Sequence, residues 1–207
     1  MYEFLRGALL VILAIMALLF YKRIRTVDKW IRVTVSVILI VATCAVSVLY
    51  FVPVENSFVT FDSAEAVYKY RKFGSYDVHL VVEGKESDFV VGESNKNHDV
   101  LYMAVPKTED GWKIGCSFDI DTVCYKRTDY GTIDVCRFKK TNDYFIIYSS
   151  YDDTDQQITD NRNSQFIKLS DDVRDGEYYA FVPDFDSNYR LVINGNIITF
   201  ENDDKSN

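Results

Sequence analysis

The sequence predicts an α+β protein: a two-helix transmembrane hairpin followed by one short helix and a mainly antiparallel β domain. Three observations predict it. Two apolar runs, at 4–21 and 33–52, flank the basic stretch "YKRIRTVDKWIR". Past Pro53, short runs rich in aromatic and β-branched residues alternate with turn residues. Charge changes at the same place. Residues 1–52 hold six basic and two acidic residues, net 4 positive, and residues 53–207 hold 17 basic and 29 acidic, net 12 negative, within a total of 8 negative. The expected parts are the hairpin at 1–52, a linker at 53–61 and an acidic β-rich domain at 62–207, long enough for one core.

The second run, Val33 to Val52, is 20 residues without a charge, and as a helix it would extend about 30 Å, the thickness of a hydrocarbon core. The first run carries Arg6 near its start, where an arginine can snorkel to the headgroups. Between them Lys22, Arg23, Arg25, Lys29 and Arg32 form a basic loop at 22–32. Basic residues in short loops resist translocation, so the loop is expected in the cytoplasm and both termini outside, in a multi-pass cell-membrane protein. A signal peptide would carry its basic residues before the apolar run. A lipoprotein attachment at Cys44 is disfavoured by Thr43 and by the apolar "AVSVLYFV" that follows.

In "FDSAEAVYKYRKFG", Asp62 or Ser63 can cap a helix that Gly74 closes, with Ala64, Val67, Tyr68 and Arg71 on one face. "YDVHLVV", "DFVVG", "VLYMAV" and "WKIG" then read as a meander of strands, followed by "TIDVCRF", "YFIIYSS", "SQFIKLS" and "EYYAFVP". "YRLVI" and "NIITF" pair across Asn194-Gly195, because a two-residue hairpin turn needs positive φ at both positions. Alternation puts Phe145 and Ile147 on one face of their strand and Tyr144, Ile146 and Tyr148 on the other, as in a sheet that packs on both sides. A stripe of tyrosines left at the surface would be a binding face.

No catalytic constellation stands out. The sequence has no GxSxG or HExxH motif and no phosphate-cradling glycine loop, and its two histidines, His79 and His98, lie in a strand and a loop. The acidity of the domain argues against nucleic acid. Cys116 and Cys124 could close a small disulfide loop, with Cys136 left over; without any CxxC unit there is no framework for zinc. In "YDDTDQQITDN", the carboxylates Asp152, Asp153 and Asp155 are candidate calcium ligands, although the loop lacks the glycine and glutamate of an EF-hand. No cofactor is implied.

The segments "FDSAEAVYKYR", "VVEGKESDFVV" and "PKTEDGWKIG" resemble small membrane-anchored proteins of Gram-positive bacteria that have no assigned activity. The resemblance implies an extracytoplasmic β-rich domain and carries over no catalytic residue. Together these observations lead to an expected non-catalytic interaction or sensing module, tethered beside membrane lipid and binding a protein or cell-envelope partner. An envelope hydrolase or calcium-dependent enzyme using the aspartate loop is the alternative. A second alternative is an immunity or accessory protein that packs a partner helix against Ala42, Ala45 and Ser47.

Overall fold

The computed structural model describes residues 8, 11–12, 14–17, 19, 28–51, 53–72, 76–115, 120–139, 141–152, 154–170, 173–174 and 176–200. Residues 8, 11–12, 14–17 and 19 are helical, and α1 (Lys29–Phe51) is a helix of 23 residues. Among the described residues no helix is long and apolar enough to cross a membrane. This finding corrects the transmembrane hairpin, and with it the multi-pass cell-membrane placement with both termini extracytoplasmic. The helix that forms is a different unit from the uncharged run. It starts at Lys29, so Lys29 and Arg32 lie on it, exposed, instead of in a loop. Further along, the Thr34 and Thr43 hydroxyls donate to the carbonyls of Trp30 and Leu39 at 3.0 and 2.8 Å. Lys22, Arg23 and Arg25 lie outside the described residues.

After α1 the chain is tied down before the β domain begins. A 3-10 turn, Val54–Ser57, presents Asn56, whose amide both donates to the Ile114 carbonyl and accepts from the Ile114 N–H, each at 2.8 Å. Helix α2 (Ala64–Lys72) is capped by Ser63, whose Oγ accepts from the Ala66 N–H at 3.1 Å. Ala64, Val67 and Tyr68 are buried on its inner face, and beside them Arg71 donates to the Gly115 carbonyl at 2.6 Å. Gly74 lies outside the described residues.

Twelve strands form three antiparallel sheets among the described residues. The first is the meander β1 (Tyr76–Glu83), β2 (Ser87–Ser94), β3 (Val100–Thr108) and β4 (Gly111–Trp112). The second comprises β5 (Ile120–Arg127), β6 (Gly131–Phe138), β7 (Asp143–Ser150), β9 (Ile167–Lys168) and β10 (Glu177–Pro183) in the order β5-β6-β7-β10-β9. The third is β12 (Asn196–Thr199), β11 (Arg190–Ile193) and β8 (Ile158–Asp160). Strands β5 and β8 follow no strand pattern in the sequence, and "WKIG" contributes one strand residue and "SQFIKLS" two.

These elements stack in four layers: α2, first sheet, second sheet, third sheet. Val67, Tyr68, Val90, Met103 and Val105 fill the space between α2 and the first sheet. Val82, Phe89 and Val91 meet Phe145, Ile147 and Tyr179 between the first and second sheets. On the far side of the second sheet, Ile146, Tyr148 and Val182 pack against Leu191, Ile193 and Phe200. The two inner sheets are therefore covered on both faces, which explains why β2, β7 and β10 carry nearly unbroken buried runs. The two faces of β7 divide as the alternation predicts.

Buried phenols end on polar partners, as their hydroxyls require. Tyr68 donates to the Leu101 carbonyl at 3.3 Å, Tyr148 to that of Tyr130 at 3.1 Å, and Tyr189 to Asp160 Oδ2 at 2.9 Å. The last contact fixes a compact turn, because Asp160 Oδ1 also accepts from the N–H groups of Arg162 at 3.0 Å and Ser164 at 2.8 Å.

Candidate functional site

The layered packing leaves a cleft of about 510 Å³ at the open edge of the first two sheets. One wall is the end of β1, through Val81, Val82 and Glu83. Strand β1 is the last strand of its sheet. Opposite it, Ile167 of β9, itself an edge strand, and Phe181 with Pro183 of β10 supply apolar surface. The rim is the polar turn Arg162, Asn163, Ser164 and Gln165. Asn163 holds a positive φ of 57°, a conformation that asparagine tolerates better than most residues. Arg162 is steadied through one terminal nitrogen, which donates to Asp186 Oδ2 at 2.9 Å. Its Nε and the Oγ of Ser164 are buried without a hydrogen-bond partner.

The backbone of β1 adds to this wall. Gly84 N–H donates to the Ser87 carbonyl at 2.9 Å at the hairpin end, and Val82 pairs with Phe89 two positions further in. By antiparallel alternation, Val82 turns its N–H and C=O toward β2, while Val81 and Glu83 turn theirs outward. The cleft thus joins a strand edge, an apolar floor and a guanidinium whose one spare donor, Nε, is buried beneath the rim. This arrangement can bind a molecule with both apolar and acidic parts.

Other polar clusters are committed to structure. Asp143, 1% exposed, accepts through one oxygen from the N–H groups of Glu86 and Ser87, both at 2.7 Å, and from the Ser87 hydroxyl at 2.9 Å. Asp88, 2% exposed, holds Lys107 Nζ at 2.7 Å and Trp112 Nε1 at 2.6 Å. Between the first and second sheets, buried Glu177 accepts from Arg174 at 2.8 Å, from Ser149 at 3.2 Å and from the Tyr179 hydroxyl. Burial pushes that hydroxyl far above the usual phenol range, and the neighbouring Glu177 charge raises it further.

The sequence candidates are dispersed. His79 sits at a bulge in β1, with Nε2 3.2 Å from one oxygen of Glu93, while His98 Nδ1 contacts the other oxygen. Asp152 and Asp155 are exposed, and Asp155 pairs with Lys168 at 2.7 Å; Asp153 lies outside the described residues. No group of three His, Cys, Asp or Glu among the described residues is placed to hold a metal ion. Cys124 is half-buried in β5, and its suggested disulfide partner Cys116 lies outside the described residues. Cys136 is buried, and desolvation, followed by the nearby Asp134, pushes its thiol up to about 11.

Tyrosines do remain at the surface: Tyr125, Tyr130 and Tyr151 are exposed, with the Arg127 guanidinium 5.8 Å from the Tyr151 ring centre. No sequence motif marks the cleft. Its rim, "DNRNS", looks like any turn, and only its position beside β1 gives it a role. Comparison with known protein families, curated proteins and solved structures finds no match.

Proposed function

We propose that this protein is a non-catalytic interaction module that binds a partner molecule in the cleft between β1 and the turn Arg162–Gln165. The cleft carries the reading: an apolar floor and the Arg162 side chain, whose partnerless Nε is buried beneath the surface, line one concave site. What surrounds it supports binding over chemistry. The two histidines share Glu93, and Ser87, whose hydroxyl donates to Asp143, is fully buried and out of a substrate's reach. The partner class that suits such a site is a protein segment.

The test is site-specific photo-crosslinking with the full chain in its producing cells. A photoreactive residue at Asn163 should give one discrete adduct, and filling the cleft with Gln165→Trp, at an exposed position of its rim, should abolish it. If Asn163 yields no adduct, or if the same adduct forms from a photoreactive residue at Tyr125, the cleft is not the binding face.

A further inference from the structure

We propose that the occupant of the cleft is an extended peptide segment that adds a strand to the edge of β1 and places a carboxylate on Arg162. This rests on the reading of the cleft as a binding site and names what it binds.

The backbone supplies the first part of the argument. Among the described residues strand β1 pairs with β2 alone, so the outward groups of Val81 and Glu83 offer two N–H donors and two C=O acceptors along the cleft wall. A row of this kind is the template for strand addition, in which main-chain bonds give affinity and side-chain pockets give selectivity. Val82 and Phe181 line the same space as apolar surface for alternate side chains. A volume of about 510 Å³ falls within the ordinary range for a ligand site, and it suits a few residues of extended chain, not a helix.

The charge supplies the second part. Arg162 is held by Asp186 through one terminal nitrogen at 2.9 Å, which leaves Nε as a donor without a partner. The Ser164 hydroxyl, two residues along the same turn, is likewise unpartnered. A buried donor left unmade is unfavourable, and a carboxylate is the acceptor that satisfies a guanidinium and a hydroxyl together. Both atoms lie under the cleft surface, so engaging them takes a side-chain rotation in the turn. Glu83 on the facing wall disfavours a second acid at that point, so a single acidic residue near one end of the segment fits best.

The probe is a fluorescein-labelled pentapeptide of alternating valine and threonine ending in aspartate, with its C-terminus amidated, titrated against the full chain by fluorescence anisotropy. Saturable binding is expected. Replacing the aspartate by asparagine should weaken it about tenfold, the usual worth of one charge-assisted hydrogen bond. That difference should vanish on Arg162→Gln, so the effect is read as a coupling and a partly destabilised variant does not mimic it. N-methylation of the peptide amides that face β1 should abolish binding, while methylation of the alternate amides should leave it within about twofold, because only one set enters the ladder.

Three results would overturn the proposal: no saturable binding up to millimolar peptide, equal effects of methylation in both registers, or succinate displacing the peptide at equal concentration. If the Asn163 crosslink forms but the peptide fails, strand addition is wrong and the cleft remains a binding site. If both fail, the cleft reading falls as well.

Discussion

Replacing Asp143 with alanine strikes the joint between the first and second sheets. One carboxylate oxygen accepts two backbone N–H groups at 2.7 Å and one hydroxyl at 2.9 Å, all from the β1–β2 turn, at a residue only 1% exposed. Alanine leaves the Glu86 and Ser87 N–H groups without their acceptor. Each hydrogen bond to a charged group is worth about 1.5–3 kcal/mol, so losing two would cost about 3–6 kcal/mol. The desolvation of the carboxylate in the native protein offsets part of this, which brings the expected loss to about 3–4 kcal/mol. The milder change Asp143→Asn keeps a neutral acceptor and should lose about 1–2 kcal/mol. Gly84 reports on the same joint from the other side, since a Cβ there would stand 2.5 Å from the Ser87 carbonyl oxygen and 2.7 Å from Asp143 Oδ2. The assay is urea unfolding of the full chain followed by tryptophan fluorescence, for Trp112 donates to Asp88 next to this turn. With a slope near about 2 kcal/mol per molar urea, the Asp143→Ala midpoint should fall by about 1.5–2 M. A fall no larger than that of Asp143→Asn would refute the reasoning.

Three further outcomes follow from the packing. Gly195→Ala meets nothing within 4 Å but must hold φ at +83°, so it should lose only about 1–2 kcal/mol, a purely backbone effect; a loss above about 3 kcal/mol in urea unfolding would point to a contact there. Cys136, with its thiol raised to about 11, should resist iodoacetamide at pH 8 in the folded chain and react after unfolding, as read by peptide mass mapping; equal folded and unfolded rates would contradict its burial. Desolvation raises the Asp134 carboxyl, so the folded state favours its protonated form, and the penalty is present at neutral pH and relieved as pH falls through the folded pKa. Asp134→Asn should therefore be slightly more stable at pH 7 and lose that advantage in acid, as urea unfolding at the two pH values would show; destabilisation at pH 7 would reverse the sign.

Much of the β domain was legible because its strands obey simple periodicities. Alternation in "YFIIY" separates the two packed faces of β7, and Asn194 and Gly195, at φ 51° and 83°, make the turn their types demand. Strand β5 was missed because a bulge falls between Thr122 and Cys124, which breaks its alternation and leaves Val123 at the surface. Strand β8 is three residues inside an acidic loop, and only its pairing to β11 makes it a strand. The basic stretch misled more seriously, because counting uncharged residues finds a run but not where the helix begins. The cleft was invisible for a different reason: Arg162 and Val81 meet only because the chain brings β9 and β10 back beside the edge of β1. No local pattern encodes that.

The central claim is that the β1 edge and the Arg162–Gln165 turn form the working surface, and amide hydrogen exchange on the full chain with and without saturating pentapeptide tests it most directly. Slowing of at least about tenfold is expected at Val81 and Glu83, cleft-lining residues whose amides point away from β2, with protection spreading to Arg162 through Gln165. Protection centred instead on Tyr125, Tyr130 and Tyr151, with no change along β1, would contradict it.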